Sequence, residues 1–262
     1  MESNTREILS VYTWGVKSMK SRNNFDEALW VLTAHKILLA ASVIICAIVI
    51  GFDWLRGTIL SVQLGSIVFI AEPILFMPMI FGLIKMIQSA YRNESISLLQ
   101  LFEFYKASRI VKALFYSTMV YGMYLCVIFF CAIMLIVFPG DMMSLLGLII
   151  GAILIVIYWI KIIPVIFLFV GAPVERVRHT VMNGWSMTKG WMKDLLLISW
   201  GIFWRALLLQ VIPAAALFMF GENSHIGLIL NMVLMMIIMT YAIAVAVSVW
   251  QELSEEADSV DH

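Results

Sequence analysis

Six stretches of this chain stay apolar for about twenty residues or more, at roughly 36–55, 59–84, 113–138, 142–172, 195–220 and 226–250. None alternates apolar with polar positions, so none reads as a barrel strand. A helix needs about 20 apolar residues to cross a hydrocarbon core about 30 Å thick. Inside lipid the backbone must satisfy its own hydrogen bonds, which leaves the helix as the form open to a continuous apolar run. The reading is an all-α, polytopic transmembrane helix bundle with six spans. Composition agrees, since 63% of the 262 residues are hydrophobic and 13% are charged, against about 25% charged in a typical soluble domain. Three parts follow: an N-terminal segment 1–35, a six-helix domain 36–250, and an acidic tail 251–262.

The connections alternate in kind. "DWLRG", "PGD" and "GENSH" are short, whereas 85–112 and 173–194 are long and charged. Of 17 Lys and Arg residues, 14 fall in the first 36 residues and in those two long connections, and the short turns hold only Arg56. Basic residues mark the cytoplasmic side of a membrane. Both termini are therefore expected in the cytoplasm. The opening "MESNTREILSVYTW" lacks the basic, apolar and small-residue order of a cleavable leader, so the first apolar run is read as a span.

Each long connection carries an amphipathic pattern. In "SISLLQLFEFYKASRIVK", Leu98, Leu101, Phe102 and Tyr105 share one helical face, with Ser95 placed to cap it. In the second, Val174, Val177, Val181, Trp185 and Met192 recur at helical spacing. Both are expected to lie in the cytoplasmic headgroup layer. Lys106, Arg109, Lys112, Arg176, Arg178, Lys189 and Lys193 would then form a surface for anionic lipid or another protein. Simple capping of the bundle explains the same pattern.

Three charges break the apolar rule: Glu72, Lys161 and Arg205. Counted along their spans from the cytoplasmic end, they lie about 18, 18 and 15 Å deep. A charge at mid-membrane costs about 2.5–3.5 kcal/mol on insertion scales, so it faces the bundle interior and finds a partner. Glu72 could tie Lys161 or Arg205 structurally, or the excess cation could await an anionic ligand. Pro73, Pro78, Pro164 and Pro213 are expected to kink these spans, each lacking a backbone donor. "GLIIG", Gly147 to Gly151, has the spacing of a close packing face.

Ser186, Lys189, Gly190 and Trp191, followed by Trp200 in the next span, form a pattern familiar from one bacterial group. So does "EPILFMPMIFGLIKMIQSAYRNESISLLQLFEFYKASRIVKALF". Together these segments resemble six-span integral membrane proteins of unknown function related to the membrane domain of glycerophosphodiester phosphodiesterases. The resemblance covers about a third of the chain. It implies a fold and an inner-membrane address, and no activity.

The four histidines are far apart and fit no ligand set, and no P-loop or GxSxG nucleophile elbow occurs. Cys46, Cys126 and Cys131 all lie in apolar runs, without metal or disulfide spacing. The expectation is a non-enzymatic scaffold, accessory or partner-binding subunit, with no cofactor, no metal and no nucleic-acid partner. The alternative is a transporter or lipid-handling protein that binds an anionic ligand at the three charges.

Overall fold

The computed structural model describes residues 24–59, 62–137, 142–188, 192–220 and 225–260. Among them every regular element is helical. A short helix α1 covers 24–34 and breaks at His35. Then follow α2 (Lys36–Ile59), α3 (Val62–Tyr91), a 3₁₀ helix (Leu98–Tyr105), α4 (Ala107–Val137) and α5 (Met142–Gly171). The last four are α6 (Val177–Met187), α7 (Met192–Leu209), α8 (Val211–Phe220) and α9 (His225–Val260). Among the described residues five segments are long and apolar enough to cross a membrane: Lys36–Trp54, Glu72–Tyr91, Ala107–Val137, Leu145–Gly171 and Ile229–Glu252.

The stretch expected as a fifth span, 195–220, is instead divided between α7 and α8, with a turn at Gln210. Pro213 explains the division. It has no N–H for the Leu209 carbonyl four residues back, and its ring crowds that oxygen, so α7 stops at Leu209. The three other prolines leave their helices continuous: Pro73 and Pro78 lie inside α3, and Pro164 inside α5. The acidic stretch expected as a tail continues α9 to Val260.

The helices divide into two compact units. One holds the described residues up to Val43, Ile87–Ile96, and those from Gly201 onward; the other holds Ile44–Met86 and the described part of Ser97–Trp200.

In the first unit α9 is the hub. Thr240, Ala244, Ser248 and Glu252 recur every four residues, so they stack along one helical face. Each rung holds a different residue. The hydroxyls of Ser42 and Thr240 lie 2.6 Å apart, and the Tyr91 hydroxyl donates to the Ala244 carbonyl at 3.2 Å. Ser248 donates to Glu27 at 3.1 Å, and Asn24 donates to Glu252 at 3.2 Å. Asn24, Ser42, Thr240 and Ser248 are buried, so these bonds satisfy groups that would otherwise be costly to bury. At the far end of α3, Asn93 takes the left-handed conformation (φ 54°). Its N–H bonds to the Ala90 carbonyl at 3.1 Å, and that of Glu94 bonds to Ser89 at 2.9 Å. This double bond pattern is the common left-handed helix stop.

The second unit is built on an aromatic core. Phe81 of α3, Phe104 of the 3₁₀ helix, Tyr116 of α4 and Phe169 of α5 are all fully buried. Phe169 is central, with ring centroids 5.5 Å from Phe81, 5.2 Å from Phe104 and 4.2 Å from Tyr116. Such pairs contribute about 0.5–1.5 kcal/mol each beyond the area they bury. Farther along the hairpin of α4 and α5, Gly147 and Gly151 bring the helices close, against Met134 and Cys131 respectively.

Both short elements of this unit fold back along the long helix that precedes them. The 3₁₀ helix does so at Gly82, where a Cβ would collide with the Leu101 backbone. Its start is capped by Ser97, not Ser95, through a reciprocal box with Gln100. Its buried residues are Leu101 and Phe104, whereas Leu99, Phe102 and Tyr105 face outward. That corrects the face read at 3.6 residues per turn. At 3.0 residues per turn, positions i and i+3 eclipse, so the stripes are 101–104 and 99–102–105. The α6 helix folds back along α5, and a Cβ at Gly184 would stand 2.8 Å from the Val165 nitrogen. Its inner face is the small pair Thr180 and Gly184, while Met182 and Trp185 are exposed, as is Val174 in the turn before it.

Candidate functional site

Glu72 is buried on α3, and its ion-pair partner is Arg56, at 3.4 Å. Arg56 lies in the last turn of α2 and also pairs with Asp53 at 2.5 Å, one turn back on its own helix. The pairing weighed from the sequence, with Lys161 or Arg205, is therefore corrected. The "DWLRG" stretch is helical and not a turn, so α2 carries Arg56 to Glu72. One guanidinium, with donors spread over its planar fork, serves two carboxylates.

A cleft of about 430 Å³ opens within a turn of this cluster, lined by Ile48, Gly51 and Phe52 of α2, Leu75 and Phe76 of α3, and Tyr105. Phe52 and Phe76 meet edge to face at 5.4 Å. The Tyr105 hydroxyl donates to the Leu75 carbonyl at 2.6 Å, so that hydroxyl already has a partner. Burial pushes the Tyr105 hydroxyl pKa up to about 12.

The basic residues expected to form one cytoplasmic surface split in two. Glu103 accepts from Lys85 at 2.7 Å and from Arg109, so Arg109 ties α4 to the 3₁₀ helix. The Lys112 ammonium donates to the carbonyls of Pro173, Val174 and Glu175 at 3.2, 3.0 and 3.0 Å. Its three protons match three acceptors in the turn between α5 and α6. These two are internal ties and not surface charges. Lys106, Arg176 and Arg178 are exposed. Lys189 lies outside the described residues, as does the side chain of Lys193.

Lys161 and Arg205 each lie over an aromatic ring. The Lys161 ammonium is 5.8 Å from the Trp185 ring centre on α6. The Arg205 guanidinium is 3.3 Å from that of Phe25 on α1, and Phe25 also meets Gly201 one turn earlier on α7. Of the positions that carry the family resemblance, Ser186 donates to the Asn183 carbonyl at 2.8 Å and Trp200 is exposed. Gly190 and Trp191 lie outside the described residues. Among the described residues no group of three His, Cys, Asp or Glu side chains could hold a metal ion.

Two sets of residues were not singled out from the sequence: the α9 ladder and the Glu103 bridge. The ladder had a signal, because Thr240, Ser248 and Glu252 are polar positions of a largely apolar run, at spacings of eight and four. The five long apolar helices among the described residues point to the class, a multi-pass helical membrane protein. No protein-family model, no curated protein and no solved structure matches the chain.

Proposed function

We propose that this chain is a non-enzymatic component of a bacterial cytoplasmic membrane, acting as a scaffold, accessory or partner-binding subunit. The observation that carries this reading is how the charges of the second unit are used. Glu72 is taken by Arg56, Glu103 by Lys85 and Arg109, and Lys112 by three carbonyls. A transport site built on such groups would offer them to a ligand; here they join elements of the same chain. Buried charges left without a partner are strongly destabilising, which gives each of these contacts a structural purpose.

The threading in this reading has six spans and both termini inside. α7 and α8 together supply the sixth, as a span broken at Gln210; α7 alone carries Lys193, Asp194 and Arg205. The basic residues of the long connections set the orientation. α6 is an interfacial helix that exposes the apolar Met182 and Trp185 beside the basic Arg178. The likeness to six-span membrane proteins related to the glycerophosphodiester phosphodiesterase membrane domain fits the same arrangement. Its partners are the bilayer, anionic lipid and another membrane or cytoplasmic protein.

Glu72→Gln and Glu103→Gln test the structural use of the charges. Each should lower the unfolding midpoint of the purified protein in detergent. Unchanged midpoints in both variants would contradict the reading.

A further inference from the structure

We infer that Lys161 and Trp185 form an interfacial site for the headgroup of an anionic phospholipid. This deepens the membrane reading above and rests on it. From Met142 to Trp159 large apolar side chains are exposed on every turn, whereas from Ile160 to Val170 they are mostly buried. The exposed band is eighteen residues, about 27 Å at 1.5 Å per residue, which matches a hydrocarbon core of about 30 Å. α5 itself has 30 residues, about 45 Å, so it outruns the bilayer. Trp159 closes the band, and tryptophan favours the level where acyl chains meet headgroups.

Lys161 lies two residues past that boundary. Counting residues along the span puts it at mid-membrane only if α5 ends where the lipid does. The last turns of α5 are instead covered by protein: α6 returns along them with Gly184 against Val165 and Trp185 over Lys161. The ammonium therefore stands at headgroup level beside an exposed indole. Among the described residues no carboxylate lies within ion-pair distance of Lys161. At 5.8 Å from the ring centre, the contact is at the long end of a cation–π interaction, and it leaves the three ammonium protons for an outside acceptor. Arg178 of α6 is exposed and adds positive charge to the same helix, and Met182 extends the apolar flank. A phosphate oxygen on Lys161 with acyl chain along Met182 and the exposed band satisfies both surfaces. A free anion would meet only the first.

Delipidated full-length protein offered equal phosphatidylglycerol and phosphatidylcholine, with bound lipid counted by native mass spectrometry, tests the site. Wild type should retain phosphatidylglycerol in preference. Lys161→Ala should lose about fivefold of that preference, the effect of one basic residue at an anionic surface, and Lys161→Arg should keep it. Equal preference in Lys161→Ala, at an unchanged unfolding midpoint, overturns the inference. If Lys161→Ala unfolds, Trp185→Leu replaces it and should weaken the preference; no change there also overturns it. Displacement of the lipid by millimolar inorganic phosphate would identify a free-anion site and overturn the lipid assignment. If lipid preference fails while cysteines at Met142 and Arg178 label from opposite sides, the site falls and the membrane reading stands.

Discussion

At the scale of single residues, Glu72 is the most informative. Among isoleucines and phenylalanines it reads as a charge in search of a cation, and that much was legible. Its partner was not, because Arg56 falls in five residues that look like a loop. The α2 helix runs on to Ile59, and only that continuation brings Arg56 within 3.4 Å. Charge exchange tests the pair. Glu72→Arg and Arg56→Glu should each destabilise the protein, and the double variant should recover part of the loss, with a coupling of about 0.5–3 kcal/mol. Strict additivity would separate the two residues. Tyr105 gives a second test. Its hydroxyl pKa is raised to about 12 in the fold, above the usual value near 10. The stability it contributes is full below pH 10 and is lost as pH rises from 10 through 12. Ultraviolet difference titration should show late tyrosinate ionisation, and Tyr105→Phe should remove the part of it near pH 12. An unchanged titration in that variant would contradict the assignment.

At the scale of elements, the long helices were legible and the short ones were not. Lipid demands continuous apolarity, and that demand is written residue by residue. The short elements obey packing instead. The 3₁₀ helix hides Leu101 and Phe104 because Gly82 lets its backbone lie on α3, and a 3.6-residue period cannot foresee that stripe. α6 turns its small residues, Thr180 and Gly184, toward α5 and its bulky ones outward, the reverse of a soluble amphipathic helix. Both glycines are therefore sensitive. Gly82→Ala and Gly184→Ala should each cost about 1–3 kcal/mol, the usual range for overpacking. Chemical denaturation in detergent measures this. Gly51, whose missing Cβ would meet nothing within 4 Å, serves as the control and should tolerate alanine.

At the scale of the whole molecule, the proposed orientation rests on the alternation of short and charged connections. The exposed apolar band on α4 and α5 leads to the short connection, and the aromatic core of the second unit sits toward the charged ones. Arg109 and Lys112 are spent inside the protein, yet they still count as positive charge near the span ends. The α9 ladder stayed hidden because small polar residues in a span look like neutral filler until their partners on α1, α2 and α3 are known. The most direct test of the account is side-specific cysteine labelling of the full chain in intact cells, with Cys46, Cys126 and Cys131 replaced. Met142→Cys, at the exposed start of α5, should react with a membrane-impermeant maleimide from outside. Arg178→Cys should react only after permeabilisation. Labelling of Arg178→Cys from outside, with Met142→Cys protected, would contradict the threading.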